Sequence, residues 1–147
     1  MRKTGWAIAL MAMVLGTLTW STAADYIGAA KCKMCHKTEY TSWQEKAHAG
    51  AFDLLPAAEQ ANADCLKCHA TGGKAEFPGV QCESCHGPGS AYKAMSVMKD
   101  HEASLAAGLV VPDEGTCRSC HEGAPHDQKP FDFAAMKAGG VHDVKSK

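Results

Sequence analysis

The apolar residues of this chain are most concentrated in one short stretch near its start. Two basic residues precede that stretch, which runs from Trp6 to Leu18, and the small residues Thr22-Ala23-Ala24 follow it. This order is typical of a secretory signal peptide. An uncleaved anchor is the alternative, but the stretch is shorter than the ~20 residues that a membrane-spanning helix needs. We therefore predict a signal peptide over residues 1–24, one domain over residues 25–147 and a periplasmic or otherwise exported location, without stable membrane insertion after cleavage.

Beyond the leader, segments that favour helices alternate with loops rich in glycine and proline. The segments that are helical in composition are residues 37–49, 57–64, 91–109 and 131–137. Glycine and proline break residues 71–79 and 123–130 into loops, and Gly87-Pro88-Gly89 should end any helix that comes before it. The alternating apolar and polar positions that indicate strands are nearly absent. The pattern predicts a mainly α fold, with helices and loops in one small domain and little or no β-structure.

The composition after the leader is poor in large apolar side chains and rich in Ala, Gly, His and Cys. Such a small chain would form only a thin core by itself. Removing the two basic residues of the leader from the 15 Lys and Arg leaves 13 against 16 Asp and Glu, a net charge of −3 with neutral histidines. An acidic surface disfavours nucleic acid as a partner, because phosphates need a basic surface. A redox protein with a basic patch fits the charge better.

The sequence Cys-x-x-Cys-His occurs four times and uses all eight cysteines. In such a motif the two thiols bond to the vinyl groups of a haem, and the adjacent histidine binds its iron as the proximal ligand. The predicted attachment residues are Cys32, Cys35, Cys65, Cys68, Cys82, Cys85, Cys117 and Cys120, and the predicted proximal ligands are His36, His69, His86 and His121. Disulfides and structural zinc sites also use paired cysteines, but neither explains a histidine after every pair. We predict four covalently bound haem c groups, closely packed in one domain, whose apolar surfaces complete the thin core.

Four histidines outside the motifs match the four remaining axial positions of the irons. His48 follows His36 by 12 residues, which is about 18 Å along a continuous helix and about 120° around it, so it should bind the iron of a different haem. His101, on the helix after the third motif, and His142, beyond the last helix, are also predicted distal ligands. His126 lies only five residues beyond the fourth motif and cannot readily pass around that haem. It is either a ligand of another haem or a solvent-facing loop residue.

Several of these stretches resemble a known family. CHKTEYTSWQEKAHA around the first motif, GVQCESCHGPG around the third, and the runs CLKCHATGG and CRSCH follow the order found in the tetrahaem cytochrome c family that accepts electrons from hydroxylamine oxidoreductase in ammonia-oxidising bacteria. The resemblance covers most of the chain after the leader. It implies a mostly helical fold wrapped around stacked and perpendicular haem pairs. It also implies that His48, His101 and His142 are distal ligands.

The resemblance and the count of histidines differ at the second haem, which His69 should hold. The resemblance implies an open distal face there, and nothing in the family pattern matches His126. The count instead leaves His126 free to close that face. We expect the open face, because the loop that carries His126 is short, polar and rich in breakers, and is attached close to a different haem.

The sequence thus predicts a carrier that passes electrons between redox proteins by outer-sphere transfer, with neither donor nor acceptor identified. One alternative is an enzyme that reduces nitric oxide or a similar small ligand at a five-coordinate second haem, although no acid–base constellation stands out near the second motif. Another is a subunit of an extracellular haem filament, in which His126 or His142 would bind the iron of a neighbouring subunit. The carrier is the favoured interpretation.

Overall fold

The computed structural model describes residues 23–122, 126 and 130–144. Its helices there are α1 (Ala29–Cys32), α2 (Lys37–Gln44), α3 (Ala63–His69), α4 (Cys82–His86), α5 (Met95–Met98), α6 (His101–Ala106), α7 (Glu114–His121) and α8 (Phe133–Gly139), with 3₁₀ turns at Ala51–Leu54 and Thr71–Gly73. Extended pairing within this part of the chain is limited to isolated bridges from Ala70 to Pro78 and Gly79. The predicted mainly α fold is confirmed.

The predicted signal peptide lies outside the described residues, apart from its last two positions. Among the helices that the structure describes, none is long and apolar enough to cross a membrane.

The first predicted helix, residues 37–49, is shorter in the structure because tertiary hydrogen bonds compete with its second half. Helix α2 ends at Gln44. The indole Nε1 of Trp43 donates to the carbonyl of Val80 (2.9 Å), and the Val80 N–H donates to the carbonyl of His48 (2.9 Å). The prediction is therefore wrong beyond Gln44. His48 lies in a turn and not on a continuous helix.

A polar N-cap makes the next helix, α3, begin later than predicted. The side chain of Asn62 accepts a hydrogen bond from the N–H of Asp64 (2.9 Å), so α3 begins at Ala63. Residues 57–61 form turns. The helix predicted over residues 57–64 is therefore wrong for most of its length.

A second cap divides the helix predicted over residues 91–109 into α5 and α6. Asp100 lies between them with extended backbone angles, and its side chain accepts a hydrogen bond from the N–H of Ala103 (3.0 Å). The hydroxyl of Ser104 lies 2.9 Å from the carbonyl oxygens of both Val97 and Asp100 and joins the two short helices. The predicted stop at Gly87, which ends α4 with φ +78°, is confirmed, as is a short final helix at α8.

The apolar core of the described residues is small. Leu55, Leu66 and Ala70 form its main cluster, and Phe52 and Cys65 pack against it. A core of this size agrees with the thin core predicted from the composition. Hydrogen bonds, together with the haem groups predicted from the motifs, must therefore carry more of the tertiary structure than in an ordinary domain of this length.

A network of hydrogen bonds centred on Thr71, here called the crossing, holds together segments that the small core does not. Thr71 is fully buried, and its hydroxyl donates to the carbonyl of Gly79 (2.9 Å) and accepts from the N–H of Gln81 (2.9 Å). Since its one proton is used, the hydroxyl of Ser84 (2.9 Å) must donate to it. The N–H of Gly79 donates to the carbonyl of His69 (3.1 Å). The crossing thus ties the end of the second motif to the helix of the third.

Candidate haem-binding sites

Three motif histidines each face one histidine from a distant part of the chain. The ring centroids lie 5.9, 5.6 and 6.3 Å apart in the pairs His48–His121, His69–His126 and His86–His142, respectively. Every pair joins one histidine of a Cys-x-x-Cys-His motif to one histidine outside the motifs. Ligation of an iron from both faces requires this arrangement.

The separations match two imidazoles that bind one metal ion. A metal–nitrogen bond of about 2 Å on each side, with about 1 Å from each nitrogen to its ring centre, gives roughly 6 Å between the centres. The three separations in the structure lie around this value. The residues present therefore fit the haem groups that the motifs imply.

Backbone carbonyls orient three of these rings. Nδ1 of His69 donates to the carbonyl of Ala51 (2.6 Å), and Nδ1 of His86 donates to the carbonyl of Val110 (3.1 Å). Nδ1 of His142 donates in the same way to the carbonyl of the next residue (2.9 Å). Because a carbonyl oxygen can only accept, Nδ1 must carry the proton. The lone pair of Nε2 is then left for a metal.

The surroundings of two of the rings favour the neutral imidazole that binds iron. Burial, and then the nearby His121, lower the pKa of His48. Burial is also the main cause that lowers the pKa of His86, with His142 and His36 adding to the effect and the hydrogen bond to a backbone carbonyl opposing it. Neutral rings need not lose a proton before they bind a metal.

The motif backbones place the two sulfurs of each motif on one side. Helices α3, α4 and α7 contain the second, third and fourth motifs whole. The first motif spans the end of α1 and the turn after it, where the N–H groups of Cys35 (3.1 Å) and His36 (2.9 Å) donate to the carbonyl of Cys32. Residues three apart share a face of a helix. Both sulfurs of a motif can therefore reach one edge of a porphyrin.

Contacts between thiols show which motifs are neighbours. A hydrogen bond with Cys82, followed by burial, raises the pKa of Cys32. Burial and a hydrogen bond with Cys120 raise the pKa of Cys68 to about 11. Burial and the cysteines of the fourth motif raise the pKa of Cys85. These interactions pair the first motif with the third, the third with the fourth and the fourth with the second.

The arrangement of the cysteines bears on the two alternatives to haem attachment, which are disulfides and structural zinc sites. No disulfide joins any two of the eight cysteines, all of which lie in the described part of the chain. Within the part of the chain that the structure describes, no three His, Cys, Asp or Glu side chains converge as a structural zinc site requires.

The two remaining histidines are not brought face to face. His36 immediately precedes α2 and lies close enough to His86 to affect its pKa. His101 is the exposed first residue of α6. The role of His101 as a distal ligand stays a prediction.

Glu83 is a structurally important residue that the sequence analysis missed. It lies between the two cysteines of the third motif and is only 2% exposed. Its carboxylate accepts hydrogen bonds from the N–H groups of Ile27 (3.0 Å to each oxygen), Gly28 (2.7 Å) and Gly89 (2.6 Å). Glu83 therefore binds the start of the domain to the third haem-attachment helix. The local signal for this role was an acidic residue close to Gly-Pro-Gly.

Comparison with known proteins gives three related matches. A family model described as cytochrome c554 and c-prime matches residues 31–87. Cytochrome c-554 of Nitrosomonas europaea is 32% identical over 165 aligned positions, which cover 81% of this chain and 70% of that protein. The solved structure of the reduced state of cytochrome c554 from Nitrosomonas europaea matches with a TM-score of 0.55 at 28% identity, and covers 74% of this chain and 72% of that one. The likeness therefore extends to both sequence and fold.

Proposed function

The chain belongs to the cytochrome c554 family, and from this premise we propose that it is an exported carrier that passes electrons between redox proteins by outer-sphere transfer. Family membership makes it a cytochrome c of electron transport that binds haem covalently. The exported location is supported by the signal-like leader. The observation that carries the proposed function is the set of three histidine pairs.

Paired histidines favour electron transfer over catalysis on a bound substrate. A metal that has an imidazole on each face keeps no open position for a substrate. The carbonyls that hold Nδ1 of His69 and His86 also fix the ring orientations, so these ligands need not move when the charge of the site changes. Both properties suit a carrier.

Four haem groups are proposed, one for each motif. The proposed ligand pairs for the first, third and fourth haems are His36 with His101, His86 with His142, and His48 with His121. The first pair follows by elimination, because the other non-motif histidines face other motifs. His142 faces a motif histidine of its own chain, so the filament alternative gains no support from it.

The order of the attachment sites supports passage of electrons through the domain. Each haem iron, when bound, takes up and releases one electron. The electrostatic interactions between cysteines support a connected series of attachment sites, first–third–fourth–second. No attachment site is isolated from the others. Charge that enters at one end of the series therefore has a neighbouring site at every step.

The acidic charge suggests the kind of partner. With the leader removed, acidic residues exceed basic ones by three. Such a surface attracts basic patches on partner proteins and speeds their encounter. We therefore expect the rate of electron exchange with a basic redox protein to fall as salt is added.

Two measurements on the exported holoprotein test the proposed function. Its mass should equal residues 25–147 plus four haems, unchanged by acid–acetone extraction. A spectroelectrochemical titration should then give four electron equivalents per chain, with reoxidation by a soluble outer-sphere acceptor. Extractable haem, or fewer than four electrons per chain, would contradict the proposal.

A further inference from the structure

We infer that His126 is the distal ligand of the second haem, so that the iron held by His69 is closed on both faces. This inference rests on the proposed function, because it assumes that all four motifs carry haem. It departs from the open second haem that the family resemblance implies. It also identifies the ligand chemistry of the one motif that the pairs above left unassigned.

The His69–His126 pair has the same geometry as the other two. Its ring centroids are 5.6 Å apart, against 5.9 and 6.3 Å in the pairs that contain His48 and His142. Its interplanar angle of 46° lies between their angles of 59° and 39°. Nothing in the geometry separates His126 from histidines that are expected to be distal ligands.

The ring of His69 is held so that its metal-binding nitrogen is defined. Nδ1 donates to the carbonyl of Ala51 at 2.6 Å, the shortest of the three histidine–carbonyl bonds. Helix α3, which carries His69 as its last residue, is capped at its start by Asn62. Since Nδ1 is used, Nε2 is the nitrogen available to the second haem, and His126 provides the imidazole that faces this ring.

The position of the fourth motif explains how a loop residue reaches the second haem. The loop that carries His126 starts only a few residues after His121. The ring of His126 lies opposite that of His69, which is the last residue of the second motif. Five residues span up to about 18 Å, which is ample between adjacent motifs. The fourth motif, which ends five residues before His126, is thus a neighbour of the second motif, and a short connection is sufficient.

Closure of the second haem has a chemical consequence. An iron with two strong imidazole ligands is low-spin and offers no vacant position to nitric oxide or carbon monoxide. The alternative function, reduction of a small ligand at a five-coordinate second haem, would then have no site. The chain would be an electron carrier at all four haems.

The experiment uses the exported holoprotein with four haems confirmed by mass. Electron paramagnetic resonance of the oxidised wild-type protein should show only low-spin haem, and the reduced protein should bind no carbon monoxide. His126→Ala should make about one haem in four high-spin and should bind one carbon monoxide per chain. His126→Met should restore the low-spin state and raise the reduction potential of one haem, since methionine ligation does so. Pro130→Ala, at an exposed position near the end of the same loop, is the matched control and should behave as wild type.

Two results would overturn the inference while the proposed function stands. One is a wild-type protein with four haems of which one is already high-spin. The other is a fully low-spin wild type whose spectrum does not change in His126→Ala. If His126→Ala does not accumulate, the wild-type spin state and His126→Met still decide the question. A mass with fewer than four haems would instead contradict the proposed function itself.

Discussion

Replacement of Glu83 tests whether one buried carboxylate holds the start of the domain to the third haem-attachment helix. The carboxylate accepts hydrogen bonds from three backbone donors, on Ile27, Gly28 and Gly89, at 2.6 to 3.0 Å. Glu83→Gln keeps the shape of the side chain, but it places an NH₂ group against backbone N–H groups. Glu83→Ala leaves all three donors without their acceptor.

The expected loss of unfolding free energy follows from the number of donors that lose their acceptor. A buried donor that loses its partner costs about 1–3 kcal/mol, so three donors give roughly 3–9 kcal/mol for Glu83→Ala, with the lower end applying where water replaces the carboxylate. Glu83→Gln retains one acceptor oxygen and loses the assistance of the charge, and we expect about 2–4 kcal/mol. At about 4 kcal/mol per M of guanidinium chloride, that loss lowers the unfolding midpoint by about 0.5–1 M.

The assay is guanidinium unfolding of the oxidised holoprotein, followed by haem absorbance and far-ultraviolet circular dichroism. Glu76→Gln is the matched control, because Glu76 is exposed and its salt bridge with Lys74 is 4.0 Å long. Its free energy of unfolding should stay within about 0.5 kcal/mol of that of the wild type. Hydrogen exchange should show lost protection at the amides of Ile27, Gly28 and Gly89 in Glu83→Gln. A Glu83→Gln midpoint equal to that of the control, with protection retained at these amides, would refute the reasoning.

Three further predictions, tested by four substitutions, probe other features of the structure. His48→Ala should convert one low-spin haem to high-spin and leave all four attached by mass, because the thioether bonds are separate from the distal ligand; an unchanged spin state would contradict a ligand role. Gly79→Ala should lower the free energy of unfolding by at least about 1–2 kcal/mol in guanidinium, because φ is +80° and the added Cβ meets a backbone carbonyl. The control, Gly139→Ala in α8, has open space around the added Cβ and should be neutral or stabilising by up to about 1 kcal/mol. Hydrogen bonds from Thr116 lower the pKa of Asp113, so the stabilisation from Asp113 is complete above the ordinary pKa of aspartate and is lost as pH falls through the depressed value. Asp113→Asn should therefore flatten the acid limb of a curve of stability against pH. An unchanged acid limb would argue against a stabilising role for this carboxylate.

The haem-attachment motifs could be predicted from sequence because all their information is local. Two cysteines and a histidine within five residues define each motif, and in the structure each such run is helical or nearly so. The stop at Gly87 was predictable for the same reason, since its φ of +78° is a property of one residue. These features need no knowledge of what packs against them.

The failed predictions concern residues whose conformation depends on distant partners. The composition around His48 favours a helix, but α2 ends at Gln44, and the carbonyl of His48 accepts a hydrogen bond from the N–H of Val80 instead of from a helical N–H. The sequence argument that His48 serves another haem used a continuous helix that does not form. Its conclusion still agrees with the position of His48 opposite His121. Glu83 was missed because its donors Ile27 and Gly28 are more than 50 residues away in sequence.

Dependence on a partner distant in sequence also explains why the sequence argument favoured an open second haem. Distance along the chain assigns His126 to the neighbourhood of the fourth motif, and the facing rings of His69 and His126 show that the second motif lies there too. His48, His126 and His142 each face the histidine of a motif far away in sequence, so each of these three pairs also closes a long loop of the chain. Closing long loops in this way restricts the unfolded chain and offsets a small apolar core. The loss of a distal histidine should therefore weaken the fold as well as change the spin state, and that double effect separates a ligand from a surface histidine.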